Sequence, residues 1–224
     1  MNILMVLTSH DQLGNTDIKT GFWLEEFTSP YYVFKDAGAT ITLASPKGGL
    51  PPIDPGSMAD NSASTLRYNE DKSLQEALAN THVLSQLKAD DYDAIFYPGG
   101  HGPLWDLSED KNSIHLIESF YAQSKPIGAV CHGPAVLKNP KTPSGEPIVA
   151  GKNVTGFSNE EEEAVKLTNI VPFLVEDMLK GHGGIYTRAA NWQSHVAINP
   201  LLVTGQNPAS SEATAEAFIK LLTK

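Results

Sequence analysis

The chain has 224 residues, 41% of them apolar, one cysteine, and a formal charge of −10 from 16 basic and 26 acidic side chains. Phosphate repels that charge, so nucleic acid and anionic membrane surfaces are excluded as expected partners. One cysteine closes no internal disulfide and no thiolate cluster, and no histidine pair sits at a familiar metal spacing. Neither a metal nor a cofactor is therefore expected, and the compartment is expected to be reducing and cytoplasmic.

The opening MNILMVLTSH lacks the basic leader of a secretion signal, and no apolar stretch of about 18 residues is present to span a membrane. Ile3 to Thr8 (ILMVLT) instead predicts a strand buried on both faces. Phe22, Phe27, Val33 and Phe34 recur at roughly helical spacing, predicting a helix from about Phe22 to Ala37 that Gly38 closes. Pro30 lies inside it and should break it, kink it or open a second helix. Thr40 to Ala44 (TITLA), Asp93 to Tyr97 (DAIFY) and Pro126 to Val130 (PIGAV) predict three further strands. Helices are predicted near Ser73 to Lys88, Lys111 to Gln123 and Pro134 to Lys138. An amphipathic one runs over Ser210 to Leu222, capped by Ser210 or Ser211. Ser45 to Ser57 and Asn139 to Gly151 are rich in Pro and Gly and read as loops, the second as a surface hairpin. Strands separated by helices predict an α/β fold with a parallel sheet covered on both faces. No repeat or linker divides the chain, so residues 1–224 are expected to form one domain.

The strand PIGAV runs straight into Cys131-His132-Gly133-Pro134, with Ala129 and Gly133 two residues to either side of the cysteine. Small residues at those places let a strand turn sharply into a helix with the central side chain forced outward, the nucleophile elbow. The elbow presents Cys131 at the carboxyl edge of the sheet, where open α/β sheets bind ligands. A helix start beside the sulfur favours thiolate, and the His132 N–H is free to bond a developing oxyanion. Adjacent side chains point apart, so the His132 ring need not touch the sulfur. A second loop, Tyr97-Pro98-Gly99-Gly100-His101-Gly102, leaves the same sheet edge and suggests the other half of an oxyanion hole.

With these residues the sequence is recognisable: DYDAIFYPGGHGPLWDL and KPIGAVCHGPAVL resemble the ThiJ/PfpI branch of the class I glutamine-amidotransferase-like superfamily. KTGFWLEE, ASPKGG, VTGFSNEEE and LVTGQNPASS extend the resemblance nearly end to end, toward the heat-shock-chaperone-like, glutathione-independent glyoxalases (glyoxalase III). The resemblance implies a flavodoxin-like three-layer sandwich and a homodimer. It also implies a helix glutamate hydrogen-bonded to the cysteine, which the pattern T-G-x-x-x-x-E puts at Glu26. Its neighbour Glu25 reads as solvated. The resemblance further implies an acid paired with His132, which register places at Glu162 within the run Glu160 to Glu163. Such runs are otherwise solvated helix starts. The oxyanion donors would be the N–H groups of Gly100 and His132. Trp23, Trp105, Phe157 and Tyr97 are candidates for the pocket wall or for core packing. His101, His182 and His195 receive no role and are expected at surface or loop positions.

The reaction so implied is conversion of a small 2-oxoaldehyde such as methylglyoxal to its 2-hydroxy acid through a Cys131 hemithioacetal, with Glu26 or His132 relaying protons. A Cys-His-Glu triad is equally compatible with an amidase or peptidase. A stress-response holdase or oxidation sensor would leave the same trace in sequence, because an accessible reactive thiol is prone to oxidation.

Overall fold

A computed structural model describes residues 1–223. In chain order its strands are β1 (Asn2–Val6), β2 (Thr40–Ser45), β3 (His82–Val83), β4 (Ala94–Tyr97), β5 (Ile127–Val130), β6 (Asn153–Val154), β7 (Ile185–Tyr186), β8 (Val196–Ile198) and β9 (Leu202–Gly205). The helices are α1 (Leu24–Asp36), α2 (Ala63–Glu70), α3 (Lys72–Ala79), α4 (Lys111–Ala122), α5 (Asn159–Ala164), α6 (Val175–Gly181) and α7 (Ser211–Leu222). Seven strands make one sheet in the order β3-β2-β1-β4-β5-β9-β8, parallel except for β8 against β9, while β6 and β7 pair separately. No helix among the described residues is long and apolar enough to cross a membrane.

The uniform apolarity of the first strand follows from its place at the centre of the sheet. Leu4 and Val6 face a layer that holds Leu116, Ile117 and Phe120 of α4. Ile3 and Met5 face the opposite layer, with Phe27 and Phe34 of α1 and Phe218 of α7. The two cores make this a flavodoxin-like three-layer sandwich. Phe34, Phe96 and Phe218 pack edge-on or tilted at 5.2–5.6 Å between ring centres, clamping α1 and α7 to the sheet. Each such buried ring contributes about 1.5–3 kcal/mol of transfer free energy. The chain leaves β1 toward β2 and β3, then returns to its other side with β4. The order thus reverses between β1 and β4, and a crevice opens outside their carboxyl ends.

Several expectations need correction. Helix α1 continues through Pro30 without breaking, because the ring is buried on the face packed into the core. The helix expected over Ser73 to Lys88 stops at Ala79. Beyond it Thr81 exchanges backbone hydrogen bonds with Gly49, and His82–Val83 pairs with Ala44–Ser45, a use suited to β-branched Thr81 and Val83. The stretch after the cysteine is a 3-10 turn, Gly133–Leu137, rather than an α-helix. Neither serine caps α7: the Ser210 hydroxyl donates to Asn207 Oδ1, and that of Ser211 bonds Glu25 and the Pro208 carbonyl. The segment Asn139 to Gly151 does fold back on itself, through a bridge between Lys141 and Pro147.

Candidate active site

Cys131 follows β5 with φ +61°, in the left-handed region that costs a side-chain-bearing residue about 1–2 kcal/mol. Its N–H donates to the Gly205 carbonyl at 2.9 Å and its own carbonyl accepts from Phe157 N–H at 2.8 Å, so both flanking segments hold the strained turn. The β4 loop reaches the sulfur because residue 99 is glycine. A Cβ there would strike Glu26 Oε2 and lie 2.9 Å from the Cys131 Cβ. Sharp turn, bare loop and helix α1 thereby bring thiol and carboxyl together.

Glu26 is wholly buried, and neither of its oxygens has a hydrogen-bond partner at ordinary geometry. The groups that act on it, after burial, are the Cys131 thiol, the neighbouring Glu25 and the N–H groups of Gly99 and Gly100. Burial pushes its carboxyl well above the usual range, so it carries a proton and is available as a donor. Burial pushes the Cys131 thiol up, while a protonated Glu26 exerts none of the repulsion a carboxylate would and can donate to the sulfur. The expected helix start beside the sulfur is corrected: a five-residue 3-10 turn has little dipole, so stabilising the thiolate falls to Glu26 and to a neighbouring base.

The base is at hand. His132 Nδ1 lies 3.4 Å from Cys131 Sγ, against the expectation that neighbouring side chains diverge. The left-handed turn at Cys131 breaks the strand alternation and swings the two together. On its far side His132 Nε2–H donates to Glu162 Oε2 at 2.6 Å, which fixes the tautomer and leaves Nδ1 as an acceptor facing the thiol. Burial first, then His101, hold the His132 ring below its ordinary value. Burial alone would raise Glu162, but His132 and the hydrogen bonds from both imidazoles outweigh it and hold the carboxylate well below the usual range.

The run of four glutamates is not a solvated helix start. A capping box from Ser158 opens α5 and turns Glu161 and Glu162 inward, while Glu160 pairs with Arg188 on the surface. Glu25 is half-buried beside an open cleft rather than fully solvated. It accepts from Ser211 Oγ at 2.8 Å, and burial pushes its carboxyl up to about 7.

His101, given no role above, belongs to the cluster. Its Nε2–H donates to the other Glu162 oxygen at 2.8 Å, and its ring lies 4.0 Å from that of His132. The only local signal was its place in the glycine loop. The three groups His101, His132 and Glu162 offer ligand atoms within 4.8 Å of one another. Each imidazole N–H is nonetheless already committed to the carboxylate. His182 bonds the Met178 carbonyl within its own helix end and His195 bonds Thr187, both away from the cluster.

A cavity of about 90 Å3 lies over the sulfur, lined by Trp23, Glu26, Gly100, His101, Cys131, His132, Phe157, Val165, Trp192 and Pro208. Larger clefts elsewhere, such as one of about 330 Å3 beside Glu25 and Arg67, do not contain the cysteine. Trp23 and Phe157 therefore wall the pocket. Tyr97 is core, its hydroxyl on Ser113, and Trp105 stacks on His10. Gly100 and His132, the two expected oxyanion donors, both line the cavity. Trp192, Val165 and Pro208 had no sequence signal.

The solved 24 kDa rapid encystment protein of Francisella tularensis superposes with a TM-score of 0.95 at 42% identity, covering 99% of this chain and 98% of that one. The solved glyoxalase III of Candida albicans superposes with a TM-score of 0.90 at 30% identity, covering 99% and 97%. The glutathione-independent glyoxalase HSP31 of Saccharomyces cerevisiae is 31% identical over 98% of this chain and 97% of its own. The family model for DJ-1/PfpI proteins matches residues 18–221, from the segment that precedes Glu26 to the last turn of α7, and the chain belongs to the DJ-1/PfpI family.

Proposed function

We propose that this chain is a glutathione-independent glyoxalase that converts methylglyoxal, or a similarly small 2-oxoaldehyde, to the 2-hydroxy acid with no added cofactor. One observation carries the reading: a thiol, a buried carboxylic acid and a carboxylate-backed imidazole face a single cavity of about 90 Å3. That volume is a few water molecules' worth, suited to a three-carbon substrate. The glyoxalases matched over nearly the whole chain support the reaction class.

In this scheme Cys131 Sγ attacks the aldehyde carbon while its proton passes to His132 Nδ1. The new oxyanion sits on the N–H groups of Gly100 and His132 and takes the proton back, giving a hemithioacetal. His132 then removes the hydrogen on that carbon as Glu26 gives its proton to the neighbouring carbonyl oxygen, forming an enediol. Collapse of the enediol takes the proton on His132 to the second carbon and returns the proton of the first carbon's hydroxyl to Glu26, leaving a thioester, the first carbon oxidised and the second reduced. Water cleaves the carbon–sulfur bond, releasing lactate and the thiol. Glu162 stays ionised throughout and stabilises the imidazolium when it forms.

The test is methylglyoxal disappearance with chiral lactate detection in the absence of glutathione. Wild type should form lactate, Cys131→Ala none, and Glu26→Gln at least about a hundredfold less, the usual worth of a positioned general acid. Full turnover by Cys131→Ala would sink the scheme. The 3.4 Å contact between imidazole and thiol also suits acyl transfer, so amine release from amides without lactate would move the assignment to a cysteine amidase.

A further inference from the structure

Two features of the molecule have no part in the chemistry above, and they meet. Glu161 is a fully buried carboxylate that faces no cation. It accepts four hydrogen bonds: Oε2 from Ser158 N–H at 3.0 Å and Ser158 Oγ at 2.9 Å, Oε1 from Trp192 N–H at 2.9 Å and Asn207 Nδ2 at 2.8 Å. Trp192 is one of four side-chain-bearing residues with positive φ, at +64°, and it is 46% exposed. Its left-handed backbone is strained, and its N–H is held by a hydrogen bond at 2.9 Å. What holds it is the Glu161 carboxylate.

The same oxygen ties down both cavity walls contributed by the last quarter of the chain. Trp192 lines the cavity directly, its ring 5.7 Å from that of Phe157. Asn207 precedes Pro208, which also lines it. We propose that Glu161 is a latch that fixes Trp192 across the cavity mouth, and that Trp192 sets the size of carbonyl compound that reaches Cys131. The substrate class is then restricted to aldehydes with a short aliphatic substituent, and aryl glyoxals are refused at the indole. This refinement of substrate class rests on the glyoxalase reading; the gate itself does not.

Cys131 is the one cysteine of the chain, so its alkylation reads access to the cavity whatever the reaction proves to be. The experiment compares rate constants for iodoacetamide and for N-phenyl-iodoacetamide, alongside kcat/KM for methylglyoxal and phenylglyoxal. The proteins are wild type, Trp192→Ala, Trp192→Phe and Glu161→Gln. Trp192→Ala should shrink the small-over-aryl preference by about tenfold or more in both pairs, the scale set by a few displaced carbon atoms in a tight pocket. Trp192→Phe should keep most of it. Glu161→Gln, whose amide leaves donors unpaired, should shrink it part of the way. If that variant fails to fold, Asn207→Ala, which removes one of the two donors shared at Oε1, reads the same latch. An unchanged preference in Trp192→Ala would overturn the gate, and an unchanged preference in the folded latch variants would overturn the latch. A wild type that discriminates between the alkylating reagents yet forms no lactate would keep the gate and remove the glyoxalase.

Discussion

The chemistry at the residue scale turns on one carboxylate serving two imidazoles. Glu162 accepts from His132 and from His101, so neither oxygen is free to rotate away. Removing His101 withdraws one hydrogen bond to a charged group, worth about 1.5–3 kcal/mol, and a fall in kcat/KM of about ten- to a hundredfold is expected for His101→Ala. It also removes a neighbour that helps hold the His132 ring below its ordinary value. A raised His132 protonates at higher pH, so the acid limb of the pH profile should move upward. A kcat/KM profile for wild type and His101→Ala checks this, and a fall with no movement of the limb would give His101 a packing role only. Glu162→Gln should cost more than His101→Ala, since it takes the partner from both rings. The histidine was legible in sequence only as part of a glycine loop. Nothing in its own neighbourhood says that a glutamate 61 positions away will lie 2.8 Å from it.

At the scale of elements, the elbow works because β4, β5 and the turn after β5 approach within backbone contact. A Cβ on Gly133 would lie 2.5 Å from the Tyr97 carbonyl oxygen, so the turn and the end of β4 cannot both keep their places. Gly133→Ala should lower stability by about 1–3 kcal/mol, the range for forced overpacking. It should lower activity as well, because the displaced strand end carries the Gly99–Gly100 loop. A urea titration showing a lower midpoint at unchanged slope would carry the prediction; an unchanged midpoint would contradict it. The elements that frame this junction were readable because each is a contiguous apolar run followed by glycine or proline. Strands β6 to β8 are two or three residues long, too short for any period to declare itself, and they appear only once neighbours pair with them, whereas β9 carries the same short apolar run at a glycine that marks β4 and β5.

Stability at the scale of the whole molecule depends on pH from both directions. The His132 and Glu162 values lie below ordinary, so the folded state holds their protons less tightly than the unfolded chain, and their contribution is complete above the ordinary values of 6.5 and 4.5 and is lost progressively as pH falls from there through the lower folded-state values. Glu25 runs the other way. Its carboxyl rises from 4.5 to about 7, so its contribution is complete below 4.5 and is lost as pH climbs to about 7. Glu25→Gln, which keeps an acceptor for Ser211, should therefore gain up to about 3 kcal/mol relative to wild type at pH 8 and little at pH 4. Urea midpoints at the two pH values decide it, and an equal gain at both would put the effect elsewhere than in titration.

What the sequence determined by itself was everything encoded over a few neighbouring residues. The buried strands follow from their apolar runs, the alternation of strand and helix from turn residues, and the sharp Cys131 turn from the small side chains around it. Cys131 and His132 stand in that same local turn, whereas Glu26 and Glu162 were legible only through the family resemblance. Tertiary structure decided what those residues face. It buried Glu26 against the thiol, divided four consecutive glutamates among a surface ion pair, a buried acceptor of the Trp192 N–H, an imidazole partner and solvent, and placed Trp192 in the cavity wall. The physical reason is that propensity and periodicity act along the chain, whereas desolvation and charge pairing depend on distances between segments that only the folded sheet brings together.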